Sequence, residues 1–583
     1  MKLLERFRAI PPRVEDFDGG RALLRAGDYA GAQAECEKAL RRDPSNAGLQ
    51  RALADVLVER GQYSRAMDLY QKALTANPAN LQSSRRVALL QQAAPDDLPM
   101  DLVETSETQL ARAATGDPRQ AIEALQAALR IRPTWDEAYG RLGKALFMAG
   151  REEMAEQCLQ TAIQNAEAVG RVYDAAYITL AELWAATRRS DQSIPMLEKL
   201  TAMAPSVDSW VEFGLQLGIH GQTDRAIDAM RQAQALAPGN ARILAHLATV
   251  YQVAGRLPEA IRACDEAIAI DPGTIGAHTT RGMALMAQGH LREGFAEYEW
   301  RRRSPYWSKY LPPSQAPALE NLDVAGRTIL LYAEQGLGDT IMFARYAPQL
   351  AGMGAKVLLR AGEPLRRLMA CLPGLEIVPL DAPLPTHDAT IPVMSLPWLF
   401  GTDEASVPAD TYIQADPAIA DKWSRELASL GGLKAGVVWA GQPWFWNAHN
   451  RDMALADLAP LAALADVSLV SLQQGAEADD EATGLKLFRP GPLADFAETA
   501  GLIANLDIVI TIDSAVAHLA GAMGKPVWLL APHVAEWRWG QSSAASPWYP
   551  TMRIFRQIAP RDWQHPAGEV TQALRLASRV ANS

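Results

Sequence analysis

An aspartate closing a glycine-rich turn can take a proton from a hydroxyl, and Asp339 stands in such a place. It ends the run Glu334-Gln335-Gly336-Leu337-Gly338-Asp339, which follows the apolar stretch Ile329-Leu330-Leu331-Tyr332. Strand, turn and helix start share a few residues here, so Gly336 and Gly338 lie where α/β sheets receive ligands, beyond the carboxyl end of a strand. Glycines there let the backbone approach a phosphate closely. A dinucleotide fingerprint would need a third glycine and an acid after the next strand, and both are missing. Capping of the following helix is the other role open to Asp339.

Two further stretches carry groups suited to an anion. The apolar run Asp507–Ile512 ends in Asp513 and Ser514, and a helix containing His518 begins at once. Free N–H groups and a serine hydroxyl at a helix start bind phosphate. His518 is placed to reach a pyrophosphate or a leaving oxygen, with a packing role as its alternative. Arg451 belongs to a polar, aromatic loop running from Trp439 to Asp452. Its guanidinium fork suits a phosphate; an ion pair with Asp452 or Asp457 is the alternative. No Asp-x-Asp pair sits at a strand end, so no obligatory divalent ion is expected.

The elements that must position these groups alternate. β-rich runs at 328–333, 355–361, 375–380 and 388–397 form one series, and those at 435–441, 467–473, 507–513 and 526–532 form another. Alternation with helical segments implies parallel sheets with crossover helices. Two Rossmann-like lobes are expected, at 327–415 and 433–565, divided by a kinked segment near 400–433. A closing helix at 566–583 is expected to return to the first lobe.

Residues 1–300 read differently. Gly27 and Gly61, Gly116 and Gly150, and Gly221, Gly255 and Gly289 repeat at a spacing of 34. Small residues follow at a fixed place (Ala32, Ala66, Ala121, Ala226, Ala260), and the blocks run to prolines such as Pro44, Pro78 and Pro238. This period, with these three landmarks, resembles tetratricopeptide repeats. Such helix pairs bury their apolar faces only by stacking, which makes a superhelix with a concave groove for a peptide or protein. The pattern breaks near 93–115 and gains about five residues near 164–190. Residues 301–326, with several prolines, read as a connector. The histidines of this half are unclustered and expected to be solvated or packed.

Bulk composition narrows the function. The 583 residues carry a formal charge of −11 and no long basic run, which argues against a nucleic-acid surface. The four cysteines (Cys36, Cys158, Cys264, Cys371) are scattered without metal-ligand spacing and are expected to be buried free thiols of a cytoplasmic protein. No signal peptide or membrane span is read.

The three chemical stretches together resemble the heptosyltransferase-like glycosyltransferases of the GT-B fold, over about residues 325–565. That resemblance implies an α/β region of two Rossmann-like lobes after an all-α repeat superhelix. Joined to repeats, the chain is similar to bacterial repeat-fused protein glycosyltransferases, most of all to alphaproteobacterial flagellin glycosyltransferases. The resemblance implies an inverting, metal-independent transferase with no cofactor, whose donor is a CMP- or UDP-linked nucleotide-sugar. It implies a nonulosonic acid such as pseudaminic acid moved to Ser or Thr of a protein, flagellin above all, captured by the repeats. It puts the catalytic carboxylate on Asp339 and phosphate contacts on Arg451, Asp513, Ser514 and His518. Gln473, Gly475 and Glu477 become candidates for the ribose or base. A lysine frequent near the phosphate loop of that family is missing, and Arg451 stands in for it. A catalytically inactive scaffold that binds a nucleotide or partner is the alternative, as is transfer to a lipid or glycan acceptor.

Overall fold

The computed structural model describes residues 23, 26–91, 100–113, 117–187, 189–442, 448–474 and 485–581. Two compact units divide the chain, Met1–Pro205 and Ser206–Ser583, and the boundary falls within the repeat array.

The first unit is helical. Tyr29–Arg42 and Ala47–Glu59, then Tyr63–Ala76 and Leu81–Gln91, follow one another as hairpins, and six further helices run from Met100 to Met203. The glycine landmarks work as helix stops. Gly61 takes φ +72° after Ala47–Glu59, a left-handed conformation that a side chain opposes, and Gly150 does the same after Asp136–Met148. The small-residue landmarks are contact points: Ala32 and Ala66 are fully buried. The extra residues near 164–190 extend one helix, Glu152–Ala168, to 17 residues where its neighbours have 13 or 14. Inside this unit the Asp55 carboxylate is buried with Arg86 and accepts the Tyr70 hydroxyl. The predicted break at 93–115 lies partly outside the described residues, and its described part holds the helix Met100–Arg112.

The second unit begins with six more repeat helices, Val207–Ile219 to Leu291–Tyr298. Ala226 and Ala260 are again fully buried. His278 is packed, as expected: it lies flat on Trp300 at 3.7 Å and bonds to Glu297. Two 3-10 turns, Glu299–Arg303 and Pro305–Tyr310, lead into the sheets.

The first sheet is parallel, in the order β3-β2-β1-β4, with β1 Thr328–Tyr332, β2 Lys356–Ala361, β3 Leu375–Pro379 and β4 Ala389–Pro392. The second has six parallel strands in the order β10-β9-β8-β5-β6-β7. These are β5 Leu433–Val438, β6 Val467–Ser471, β7 Leu487–Phe488, β8 Ile508–Ile512, β9 Val527–Ala531 and β10 Met552–Arg556. The architecture is therefore a helical tetratricopeptide array followed by parallel α/β sheets, consistent with a GT-B-like region. All eight predicted strand runs hold a strand. β7, two residues long, and β10, whose Arg553 and Arg556 mask its apolar pattern, are additions.

Two expectations are corrected. The closing helix Gln564–Ala581 packs on β9 and β10 of the second lobe, anchored by the Trp563 indole donating to the Asp452 carbonyl. Its apolar stripe meets the lobe from which the chain has just emerged. Cys371 is exposed, because it stands in the turn after the helix Glu363–Met369; Cys36 and Cys264 are buried and Cys158 partly so.

Candidate functional site

Strand β1 has four buried positions in succession, Ile329 to Tyr332, so its end is fixed by the core on both faces. Glu334 follows and is buried. Its two oxygens take the Arg301 guanidinium at 3.1 and 2.8 Å, and one also accepts the Met394 N–H. Arg301 closely follows the last repeat helix, so this ion pair ties the repeat array to the turn. Gln335 then adopts φ +56°, uncommon outside glycine, and its amide donates to the Tyr298 hydroxyl at 3.0 Å.

Helix α1 (Leu337–Phe343) starts from this turn. Asp339 accepts the Gly336 N–H at 2.9 Å with one oxygen and pairs with the Arg538 guanidinium through the other. It thus serves the helix start and also faces a cation from the other lobe. Gly338 lies against helix α2 (Ala515–Ala522): a Cβ there would sit 2.8 Å from His518 Cδ2 and 3.4 Å from Ala515 Cα. Its missing side chain permits two helix starts from different sheets to meet. Arg345, just past the end of α1, donates to the Trp548 carbonyl and the Pro408 carbonyl, fastening the two lobes together.

On the second lobe, Ser514 caps α2 and shares a 2.9 Å hydrogen bond with Thr511. Asp513 is pushed up by burial and drawn back by Arg538, Arg451 and the Trp539 indole. Arg451 donates to Asp452 at 3.0 Å, which also accepts the Gly441 N–H, so the guanidinium lies directly over Gly441 at the end of β5. The predicted pair with Asp452 therefore exists, yet it sets Arg451 toward Asp513 at the sheet's carboxyl edge. Gln473 follows β6 and accepts the Ala440 N–H at 3.1 Å, bracing the same edge. Gly475 and Glu477 lie outside the described residues.

His518 takes the packing role given as its alternative. It is 4 % exposed, its Nδ1 shares a 2.9 Å hydrogen bond with the Tyr549 hydroxyl, and its ring stacks on Trp539. Burial first, then the Arg538 and Arg345 charges, hold its imidazole well below the ordinary value. The enclosed ring lies against Gly338 and packs the lobe contact.

Arg538 is the residue that sequence reasoning missed. It is 9 % exposed and bonds Asp339 and, at 2.8 Å, Glu536. Burial would lower its pKa, but Asp339, Glu536 and Asp513 outweigh that and hold it raised. Burial pushes the Glu536 carboxyl up, and Arg538 eases it. The signal was available: Glu536-Trp537-Arg538-Trp539 lies beyond the carboxyl end of β9, the criterion met by the other three stretches. Chemically, the place joins a carboxylate on one lobe to two guanidiniums, a capped helix start and Asp513 on the other. Among the described residues no group of three or more His, Cys, Asp or Glu side chains could hold a metal ion, and no helix is long and apolar enough to cross a membrane.

Known proteins separate the repeats from the sheet region. Tetratricopeptide repeat models match residues 17–80, 112–172 and 219–293, and the glycosyltransferase family 9 (heptosyltransferase) model matches residues 476–541. That last match spans α2, Asp513, Ser514 and Arg538. Among curated proteins, Protein FlbA of Caulobacter vibrioides is 26 % identical over 536 residues, covering 84 % of this chain and 88 % of its own. Solved structures similar to parts of the chain include YrrB, described as a TPR protein with an unusual peptide-binding site (15 % identity, 42 % of this chain and 95 % of that one, TM-score 0.22). Another is the thermophilic TPR protein TTC0263 of Thermus thermophilus (22 % identity, 32 % and 99 %, TM-score 0.28). The chain carries tetratricopeptide repeats and a glycosyltransferase family 9 region, and the latter supports glycosyltransferase activity.

Proposed function

We propose that this chain is a protein O-glycosyltransferase. It moves a sugar from a CMP- or UDP-linked donor to Ser or Thr of a protein held by the repeats. The observation that carries the reading is the Asp339–Arg538 pair between α1 and the second lobe, beside Asp513 and the α2 start. A donor phosphate entering there meets Arg451, the α2 N–H groups with their helix dipole, and Arg538. Once the phosphate occupies Arg538, an Asp339 oxygen is released toward the acceptor. The acceptor hydroxyl then bonds to the anomeric carbon, the bond from that carbon to the phosphate oxygen breaks, and Asp339 takes the hydroxyl proton. The phosphate leaves with the electron pair, its charge met by the guanidiniums and the helix start. The configuration inverts, with no metal ion or cofactor assigned a role. His518 supports this arrangement from behind by holding α1 and α2 together.

The finer reading is a nonulosonic acid such as pseudaminic acid as the sugar, flagellin as the acceptor, and the cytoplasm as the place. It rests on the likeness of the whole layout to repeat-fused transferases. The test is intact-mass measurement of candidate acceptors, flagellin first, co-expressed with this chain in a host that makes the donor. A mass increment is expected with the natural chain and none with Asp339→Ala, whose nucleotide binding stays near that of the natural chain. Equal increments in both would remove Asp339 from the mechanism, and no increment on any acceptor would return the chain to the scaffold class.

A further inference from the structure

A cavity of about 520 Å³ lies between the end of the repeats and the Pro305–Tyr310 turn and reaches Gln335. That volume is on the scale of a small-ligand site, too small for a folded partner. One wall is a single face of the last full repeat helix, Ile275, Thr279 and Met283, spaced four residues apart. The facing wall is the 3-10 turn Pro305–Tyr310, and the floor includes Tyr298 and Gln335, the left-handed residue that leads into the Asp339 turn. Tyr298 accepts the Gln335 amide at 3.0 Å, so the floor is tied to the turn that leads to Asp339.

The walls have a definite chemistry. Trp307 is buried behind the cavity, with its ring centroid 5.3 Å from that of Tyr310. Tyr306 stands at the rim, 81 % exposed, a large ring left in water. Lys309 lies over the Tyr310 ring at 4.8 Å and, among the described residues, has no carboxylate partner. Arg303 is likewise without one and lies on Trp300. In a chain of net charge −11, Arg301 to Lys309 contains four cations and no acid. Arg301 is already committed to Glu334 and Glu299, and Arg302 to Glu299, which leaves Lys309 and Arg303 to meet something else.

We infer that this cavity is the acceptor subsite, and that it takes an extended polypeptide segment beside the reacting hydroxyl. An aromatic or large apolar side chain of that segment enters between Tyr306 and Met283, and an acidic one meets Lys309. The inference rests on the transferase reading for the identity of the hydroxyl. A polypeptide is favoured over the donor sugar because one wall belongs to the repeats, while Arg451, Asp513 and Ser514 line the second sheet's edge.

Binding can be read without any donor, by fluorescence anisotropy on the full chain with two labelled synthetic peptides. One has a central Ser flanked by Phe and Asp; the other has the same Ser flanked by Ala and Lys. The Phe/Asp peptide should bind the more tightly. Tyr306→Ala and Lys309→Glu should each weaken it about tenfold, and Lys309→Glu should favour the Ala/Lys peptide. Tyr306 is exposed, so its loss leaves the fold intact, which a thermal melt checks. Equal affinity for both peptides, unchanged affinity in both variants, or displacement of the peptide by a free sugar acid would overturn the subsite. Nucleotide release from the donor is measured in parallel on the natural chain. If no donor is ever cleaved while the peptide pattern holds, the transferase reading falls and the peptide site stands.

Discussion

Three side chains near the lobe contact show how position sets role. Asp339 has both oxygens engaged, one by its own helix start and one by Arg538, so the proposed base role requires a ligand that takes Arg538 from it. Asp513 faces two guanidiniums, Arg538 and Arg451, and is drawn toward the charged form that burial opposes. His518 is enclosed and neutral, which gives a pH prediction. Its folded pKa is well below the ordinary 6.5, so the unfolded chain binds the proton more readily. The stability it contributes is present above about pH 6.5 and lost as pH falls from there. The groups facing it are Arg538, Arg345 and Tyr549. Thermal melts between pH 7 and 5 should show His518→Gln with a shallower loss, by up to about 1.4 kcal/mol per pH unit. Identical slopes would mean that the ring titrates normally.

At the scale of elements, the meeting of α1 and α2 depends on a glycine. Gly338→Ala would place a methyl 2.8 Å from His518 Cδ2, and α1 would have to lift from α2. Overpacking of this kind costs about 1–3 kcal/mol. A fall in Tm together with lost transfer is expected. Gly352→Ala, where nothing lies within 4 Å, should change neither. The Arg301–Glu334 pair explains why the turn before α1 keeps its course: a buried bidentate pair leaves Glu334 one geometry, and Gln335 takes a left-handed φ to follow it. The repeat end and the proposed base therefore share one rigid connection. The first three residues of Glu334-Gln335-Gly336-Leu337-Gly338-Asp339 serve position, and the last caps the helix start and meets Arg538.

At the scale of the molecule, the chain has two compact units, and each should report its own stability. In Met1–Pro205 the buried Asp55 depends on Arg86 and Tyr70 for its charge. Arg86→Ala strands that carboxylate, at a cost of about 3 kcal/mol. Calorimetry should show one transition lowered, while the shift produced by a nucleotide on the other transition stays as in the natural chain. A single transition, lowered by Arg86→Ala and raised by the nucleotide, would mean that the units unfold as one.

Much of this was local and therefore readable. The repeat period follows from glycine stops and alanine contacts within a few residues, and each predicted strand is a short apolar run between turns. Asp339, Asp513 and Ser514 stand out for the same reason, since strand, turn and helix start adjoin in the chain. Gln473 and Arg451 were legible as residues at strand ends, and so was the Arg451–Asp452 pair, but not the bond of Gln473 to Ala440 at the β5 edge. What the sequence determined by itself, then, was the order of elements and the groups at their ends. Tertiary structure alone decided that Arg538 lies on Asp339, 199 residues away, and that His518 is enclosed by Trp539 and Tyr549. The reason is physical: a helix or strand is specified by neighbours in the chain, whereas charge pairing and burial depend on which distant surfaces the packing brings together.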